Sequence, residues 1–91
     1  MLKIKLIRQF KKDLKNFKYN RSLLIELNKV LKQLLQQQRL DPKYLDHALS
    51  GKWNNSRECH VQPDILLIYR IEEESSLLIL ERFGSHAELF E

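Results

Sequence analysis

The chemistry this chain can offer rests on His47, Arg57, Glu58, His60, Asp64, Arg82, His86 and Phe90. An imidazole titrates near neutrality, with an unperturbed pKa of about 6.5, so it can serve as base or as acid. A guanidinium presents a planar fork that matches phosphate oxygens. With a carboxylate, these groups suit acid–base work on a phosphodiester. A base takes the proton of a 2′-hydroxyl, a cation stabilises the pentacoordinate phosphate, and an acid protonates the 5′-oxygen. Trp53 and Phe90 are aromatic surfaces on which the bases of a single strand can stack. Three histidines also match the ligand number of a catalytic zinc site. None of their spacings forms a recognised ligand pair, however, and Arg82 opposes a bound cation, so the sequence predicts no metal.

Each residue taken singly has a plainer reading. A strand histidine is usually a surface or capped residue, and Trp53 and Phe90 can be core edges. Cys59 reads as a small buried hydrophobe, and Glu72-Glu73-Glu74 as a solvated turn. The joint pattern favours a site. There is no phosphate-binding Gly-rich loop, no H-E-x-x-H and no G-x-S-x-G.

The elements that must position these groups follow from periodicity. Leu2, Ile4 and Leu6 alternate with Lys3 and Lys5, a period of two that predicts a short strand. Phe10, Leu14 and Phe17 then lie on one helical face, with a break at residues 17–20. Leu24, Leu27, Val30 or Leu31, Leu34 and Leu35 predict a second helix from Arg21 to about Arg39, ended by Asp41-Pro42. Residues 43–51 predict a loop or single turn, with Ser50-Gly51 as a turn signal. Trp53 to Val61 predicts a strand with Arg57, Cys59 and Val61 on one face and Glu58 and His60 on the other. After the Gln62-Pro63-Asp64 turn, Ile65 to Ile71 predicts a central strand buried on both faces, and Leu77 to Phe83 another, closed by Gly84. The expected class is α+β, with the order β-α-α-β-β-β. It is an antiparallel sheet of three to four strands, with an N-terminal helical hairpin on one face. Suitable antiparallel registers bring His60, Arg82 and His86 together.

Length and charge narrow the function. Ninety-one residues predict one domain, 1–91. Hydrophobic residues form 43% and charged residues 31%, which excludes a largely disordered chain. The single cysteine excludes an internal disulfide framework. No apolar run reaches the roughly 18–20 residues of a membrane span, and the N-terminus lacks the pattern of a secretory signal. The net charge of +4 is unevenly spread. Residues 1–39 hold eleven basic and two acidic side chains, a balance of +9, whereas residues 40–91 stand at −5. The first half therefore suits a polyanion or an acidic partner protein, although two amphipathic helices with lysine-rich solvent faces give the same count.

Three blocks occur in order: Asp46-His47-Ala48-Leu49-Ser50-Gly51-Lys52-Trp53, then Arg57-Glu58-Cys59-His60-Val61-Gln62-Pro63-Asp64 running into Ile65–Tyr69, then Glu81-Arg82-Phe83-Gly84-Ser85-His86-Ala87-Glu88-Leu89-Phe90. With them the whole chain resembles the YafQ branch of the RelE/ParE toxins of bacterial type II toxin–antitoxin systems. The resemblance implies a RelE-like fold and a cytoplasmic mRNA interferase. Such an enzyme cuts messenger RNA, typically on the ribosome, by metal-independent attack of a 2′-hydroxyl, and it needs no cofactor. His86 matches the principal catalytic histidine, a general acid. Asp64 and His47 match residues implicated in activity, with the base role open between them. His60 and Arg82 match phosphate-handling positions, and Phe90 an aromatic near the substrate. The RNA-contacting set is Arg57, Phe90, Trp53 and Lys52. Glu58 stands where the family pattern usually has Asp.

The implied partners are messenger RNA, the ribosome and an antitoxin. The alternatives are a non-catalytic RNA- or antitoxin-binding module and, ranked lower, the gyrase-poisoning arm of the superfamily.

Overall fold

The computed structural model describes residues 1–90. Alternation at the N-terminus produces β1 (Lys3–Leu6), and the change of period at Arg8 produces α1 (Arg8–Lys15). After a turn, Asn20 starts α2 (Arg21–Leu35), its side chain accepting from the Leu23 N–H at 3.3 Å. That bond satisfies one of the otherwise unpaired amides of the first turn. The helix stops at Leu35, four residues before the expected Arg39. Gln37 takes a left-handed φ of 55°, and the Gln38 N–H reaches back to the Gln33 carbonyl at 2.9 Å. This closure ends the helix before Asp41-Pro42 acts.

The second half builds the rest of the sheet: β2 (His47–Ala48), β3 (Arg57–Gln62), β4 (Ile65–Glu72) and β5 (Leu77–Gly84), followed by α3 (His86–Phe90). Five strands run in the order β1-β5-β4-β3-β2. Two features depart from the expected sheet. Residues 43–51 contribute β2, whose two paired residues are too few to show a period. And β1 pairs with β5 in parallel, Lys3 opposite Leu77 and Leu6 opposite Leu80, because the helices between them return the chain to the same end. The other pairings are antiparallel. The strand expected from Trp53 begins only at Arg57. Gly51 and Asn55 hold left-handed φ values of 68° and 77°, where residues 51–55 coil into a short 3₁₀ helix and a turn.

The helices cover one face of the sheet. Phe10, Leu23, Leu27, Val30 and Leu34 pack there on Cys59, Leu67, Tyr69, Leu78, Leu80 and Phe83. On the opposite face Leu66, Ile68 and Leu89 form a smaller cluster, with Leu49, Trp53 and Phe90 packed around it. Leu66, Leu67, Ile68 and Tyr69 are all nearly inaccessible, so β4 is buried on both faces as its uninterrupted apolar run predicts. No helix among the described residues is long and apolar enough to cross a membrane.

Candidate active site

The smaller face carries the site, and register assembles it. Glu58 on β3 lies opposite His47 of β2 on one side and Ile68 of β4 on the other, and Ile68 lies opposite Arg82 of β5. One row thus reads His47–Glu58–Ile68–Arg82. The neighbouring row reads His60–Leu66–Gly84 and delivers Gly84 two residues before His86. At about 4.8 Å per strand, Glu58 and Arg82 backbones stand about 10 Å apart.

Glu58 is the centre of this arrangement. Its side chain is 8% exposed, with His47 Nε2 at 3.1 Å and His60 Nε2 at 3.8 Å from the same oxygen, Oε2. The remaining nitrogen of each ring faces a backbone carbonyl. His47 Nδ1 lies 2.8 Å from the Leu45 oxygen, and His60 Nδ1 lies 3.4 Å from the Pro63 oxygen. Each ring therefore has acceptors on both sides. A protonated ring satisfies both, whereas a neutral ring donating from Nδ1 keeps an acceptor lone pair at Nε2. Leu45 is held in the left-handed region at φ 50°, a conformation that costs a non-glycine residue about 1–2 kcal/mol. It aims the carbonyl that His47 uses.

The sequence names Glu58 as a candidate and puts it on one face with His60, but its departure from the family's Asp left its role open, and its place between two imidazoles comes from a two-residue strand pairing that periodicity does not reveal. Ser56 and Glu81 were missed. The Ser56 hydroxyl donates to Glu81, and Arg70 Nη1 stands 3.9 Å from the same carboxylate. Glu81 is free to do this because a register shift at Ile68/Tyr69 leaves it without a partner on β4.

His86 opens α3. Ser85 and Glu88 fix that helix reciprocally: the Ser85 N–H donates to Glu88 Oε1 at 2.9 Å and the Glu88 N–H to Ser85 Oγ at 3.2 Å, a capping box. Leu89 anchors it on Leu66 and Ile68. A Cβ at Gly84 would lie 3.2 Å from Glu88 Oε1, so the absent side chain lets the helix start close to the strand. The exposed His86 ring lies 4.8 Å from Phe90, centroid to centroid, and Phe90 meets Trp53 edge-on at 6.2 Å. The three rings form a row beside the two buried aliphatic residues. Lys52 is exposed just before Trp53.

Arg82 is anchored from outside the sheet. β1 ends opposite Leu80, leaving the edge of β5 open beyond it, and Asp13 of α1 fills that gap. Its carboxylate accepts from Arg82 Nε at 2.8 Å, Arg82 Nη2 at 3.3 Å, the Phe83 N–H at 3.0 Å and Gln9 at 3.2 Å. Burial alone would raise the Asp13 pKa, but the bonds from Arg82, Phe83 and Gln9 outweigh it and hold the carboxyl below its usual range.

Not every expected residue joins the cluster. Asp64 is exposed in the β3–β4 turn, beside the Pro63 whose carbonyl faces His60. Arg57 alternates onto the helix side, as expected for a partner of Cys59 and Val61. There Nε and Nη2 donate to Asp46 Oδ2 at 3.1 and 2.7 Å, and the Tyr69 hydroxyl donates to the other oxygen. A groove of about 560 Å³ passes His60 toward α2, bounded by Glu26, Lys43, Tyr44, Leu45, Val61, Gln62 and Pro63. Among the described residues no group of three or more His, Cys, Asp or Glu side chains is arranged to hold a metal ion.

Comparison with known proteins adds four findings. The family described as bacterial toxin of type II toxin–antitoxin system, YafQ, matches residues 2–91. The mRNA interferase toxin YafQ of Escherichia coli strain K12 is 40% identical over 87 residues, which covers 96% of this chain and 83% of that protein. Among solved structures, a metal-bound toxin from Helicobacter pylori superposes with a TM-score of 0.91 at 47% identity, covering 99% of this chain and 100% of that one. One chain of the E. coli DinJ–YafQ complex matches with a TM-score of 0.87 at 34% identity, covering 100% of this chain and 100% of that one.

Proposed function

The chain belongs to the YafQ family of toxins from bacterial type II toxin–antitoxin systems, and on that premise we propose that it is an mRNA interferase, one toxin domain over residues 1–91, that cuts messages on the ribosome in the bacterial cytoplasm. The observation that carries this reading is the pair of imidazoles converging on buried Glu58, in register with Arg82 and next to the His86 helix. Glu58 is not tied to a permanently charged partner as Asp13 is to Arg82 and Asp46 to Arg57. It faces two imidazoles instead, each orientated by a second contact.

The reaction is transfer of the phosphodiester to the neighbouring 2′-oxygen. The His47–Glu58 pair takes the 2′-hydroxyl proton, and the resulting imidazolium is held by the Leu45 carbonyl at Nδ1 and by the Glu58 carboxylate at Nε2. The 2′-oxygen attacks phosphorus while Arg82 and His60 offset the charge that builds on its oxygens. The bond to the 5′-oxygen breaks as His86 supplies that oxygen with a proton. The products are a 2′,3′-cyclic phosphate, open to later hydrolysis to a 3′-phosphate, and a 5′-hydroxyl end. Trp53 and Phe90 stack bases of the message, and the groove beside His60 has room for a neighbouring nucleotide. Lys52 and Asp64, both exposed, lie at the approaches, whereas Arg57 is held on the other face by Asp46. No step uses a metal or cofactor. The E. coli toxin–antitoxin complex supports an antitoxin as the restraining partner.

The test is cleavage of end-labelled RNA in EDTA, with ribosomes and without. Wild-type protein yields 5′-hydroxyl fragments, and His86→Ala loses about 10²–10⁴-fold in rate while binding an uncleavable 2′-deoxy analogue within about twofold of wild type. Cutting that survives His86→Ala refutes the assignment of His86, and cutting abolished by EDTA refutes the metal-free route.

A further inference from the structure

We infer that the groove beside His60 takes the base of the nucleotide whose 2′-hydroxyl attacks, and that the aromatic row at His86 takes the next base, so the message crosses the sheet with its 5′ side over β3 and its 3′ side over α3. The inference rests on the mechanism above and gives it a direction. The two ends of the reaction belong to different nucleotides. The attacking 2′-oxygen sits on the upstream sugar, and the departing 5′-oxygen on the downstream one. His47 and Glu58 hold the first event to the β2–β3 side. His86 holds the second to the start of α3, beyond β5.

The groove opens on the upstream side. His60 lines it and faces the same Glu58 oxygen as His47. β2 pairs with β3 only as far as Glu58, so among the described residues no strand covers the outer edge of β3 from Cys59 onward. A register irregularity between His60 and Gln62 interrupts the alternation, and His60, Val61 and Gln62 all line the groove.

The lining suits a base and not a phosphate. Leu45, Val61 and Pro63 supply apolar surface for a flat ring. Leu45 is 59% exposed, and covering it is favourable. Glu26 also lines the groove and repels a phosphate. Its carboxylate is committed to the Tyr44 hydroxyl, Lys43 and Lys29. Two groups remain to read a base edge. Gln62 has an amide that donates and accepts, and Lys43 Nζ, 3.7 Å from Glu26, has further N–H donors. The downstream base meets a different surface, Phe90 and Trp53 beside His86, and stacking of that kind accepts any base. Sequence preference therefore resides upstream of the cut. Trp53 is the one tryptophan of the chain, so its fluorescence reports the downstream base.

The experiment uses the full chain and dinucleotides made uncleavable by a 2′-deoxy upstream sugar. Each position carries each of the four bases in turn or is abasic, and binding is followed by calorimetry and by Trp53 fluorescence. Affinity varies with the upstream base and is flat across downstream ones. The tightest dinucleotide quenches Trp53, and the double variant Lys43→Ala, Gln62→Ala binds it about tenfold more weakly. Gln62→Ala alone, which leaves the Glu26 ion pairs in place, retains part of that loss. Without the upstream base, wild type and double variant bind equally. Without the downstream base, the tenfold difference persists and the quenching disappears. Equal binding of the intact dinucleotide by both proteins overturns the inference, and so does a difference that vanishes with the downstream base instead. RNA cutting by a protein that shows no such pattern refutes the groove assignment alone. The expected pattern in a protein that never cuts RNA, with ribosomes or without, refutes the enzyme reading alone.

Discussion

Asp13 links the first helix to the end of the last strand, and Asp13→Asn tests how much that link contributes. The substitution keeps the shape and one acceptor oxygen but removes the charge facing Arg82, the Phe83 amide and Gln9. Breaking a fully buried ion pair costs about 3–5 kcal/mol. Arg82 is 24% exposed and rehydrates in the variant, and the asparagine oxygen still receives the amide, so we expect about 2 kcal/mol. For a domain of this size each kcal/mol moves the melting temperature by about 4–8 °C, giving a fall of roughly 8–16 °C. The pH dependence is the sharper test. The folded pKa of Asp13 lies below the usual 3.8, so its stabilisation is present in full above the unfolded value and disappears as pH drops through the folded one. Urea titrations from pH 7 to pH 2.5 on wild type and variant should show a gap of about 2 kcal/mol at neutrality that closes in acid. A gap that stays constant over that range, or a loss below about 0.5 kcal/mol at pH 7, refutes the reasoning.

Two further outcomes follow from the site and the core. Glu58→Gln removes the charge that both imidazoles face, so kcat for RNA cleavage should fall about 100-fold with KM within about twofold. Glu58→Asp retains the charge and should keep more activity than Glu58→Gln, and the reverse order would contradict the role given to the carboxylate. Burial, reinforced by Asp46 and Glu58, pushes the Cys59 thiol up to about 12. Since the thiolate is the reactive form, iodoacetamide at pH 8 should leave the native protein unlabelled by mass spectrometry and label it once unfolded; rapid native labelling would show the strand to be open.

Much of the fold was legible because its signals are local. The unbroken apolar run of Leu66–Tyr69 marks a strand covered on both sides, and the alternation of Arg57 to Val61 assigns faces correctly. The limits have physical causes. The end of α2 depends on Gln37 adopting a left-handed backbone that its residue type does not announce. The parallel partnership of Lys3–Leu6 with Leu77–Leu80 spans most of the chain. The site was legible as a set of residue types and not as a geometry. His47, His60 and His86 stand out as titratable groups, but the carboxylate between the first two is set by cross-strand register. The partner of Arg82 lies 69 positions earlier, where no spacing rule reaches.

The pairing of β1 with β5 has a bearing on how such a protein is made. The strand synthesised first finds its neighbour only when residues 77–80 have emerged, and Asp13 must wait a little longer for Arg82 and Phe83. Long-range closure of this kind is slow to nucleate and arrives late. Chains truncated during translation thus lack the last strand, the helix bearing His86 and the latch at Asp13 all at once. On the mechanism proposed above, a nascent chain lacks its acid until that last helix has been made, so activity waits for the end of synthesis.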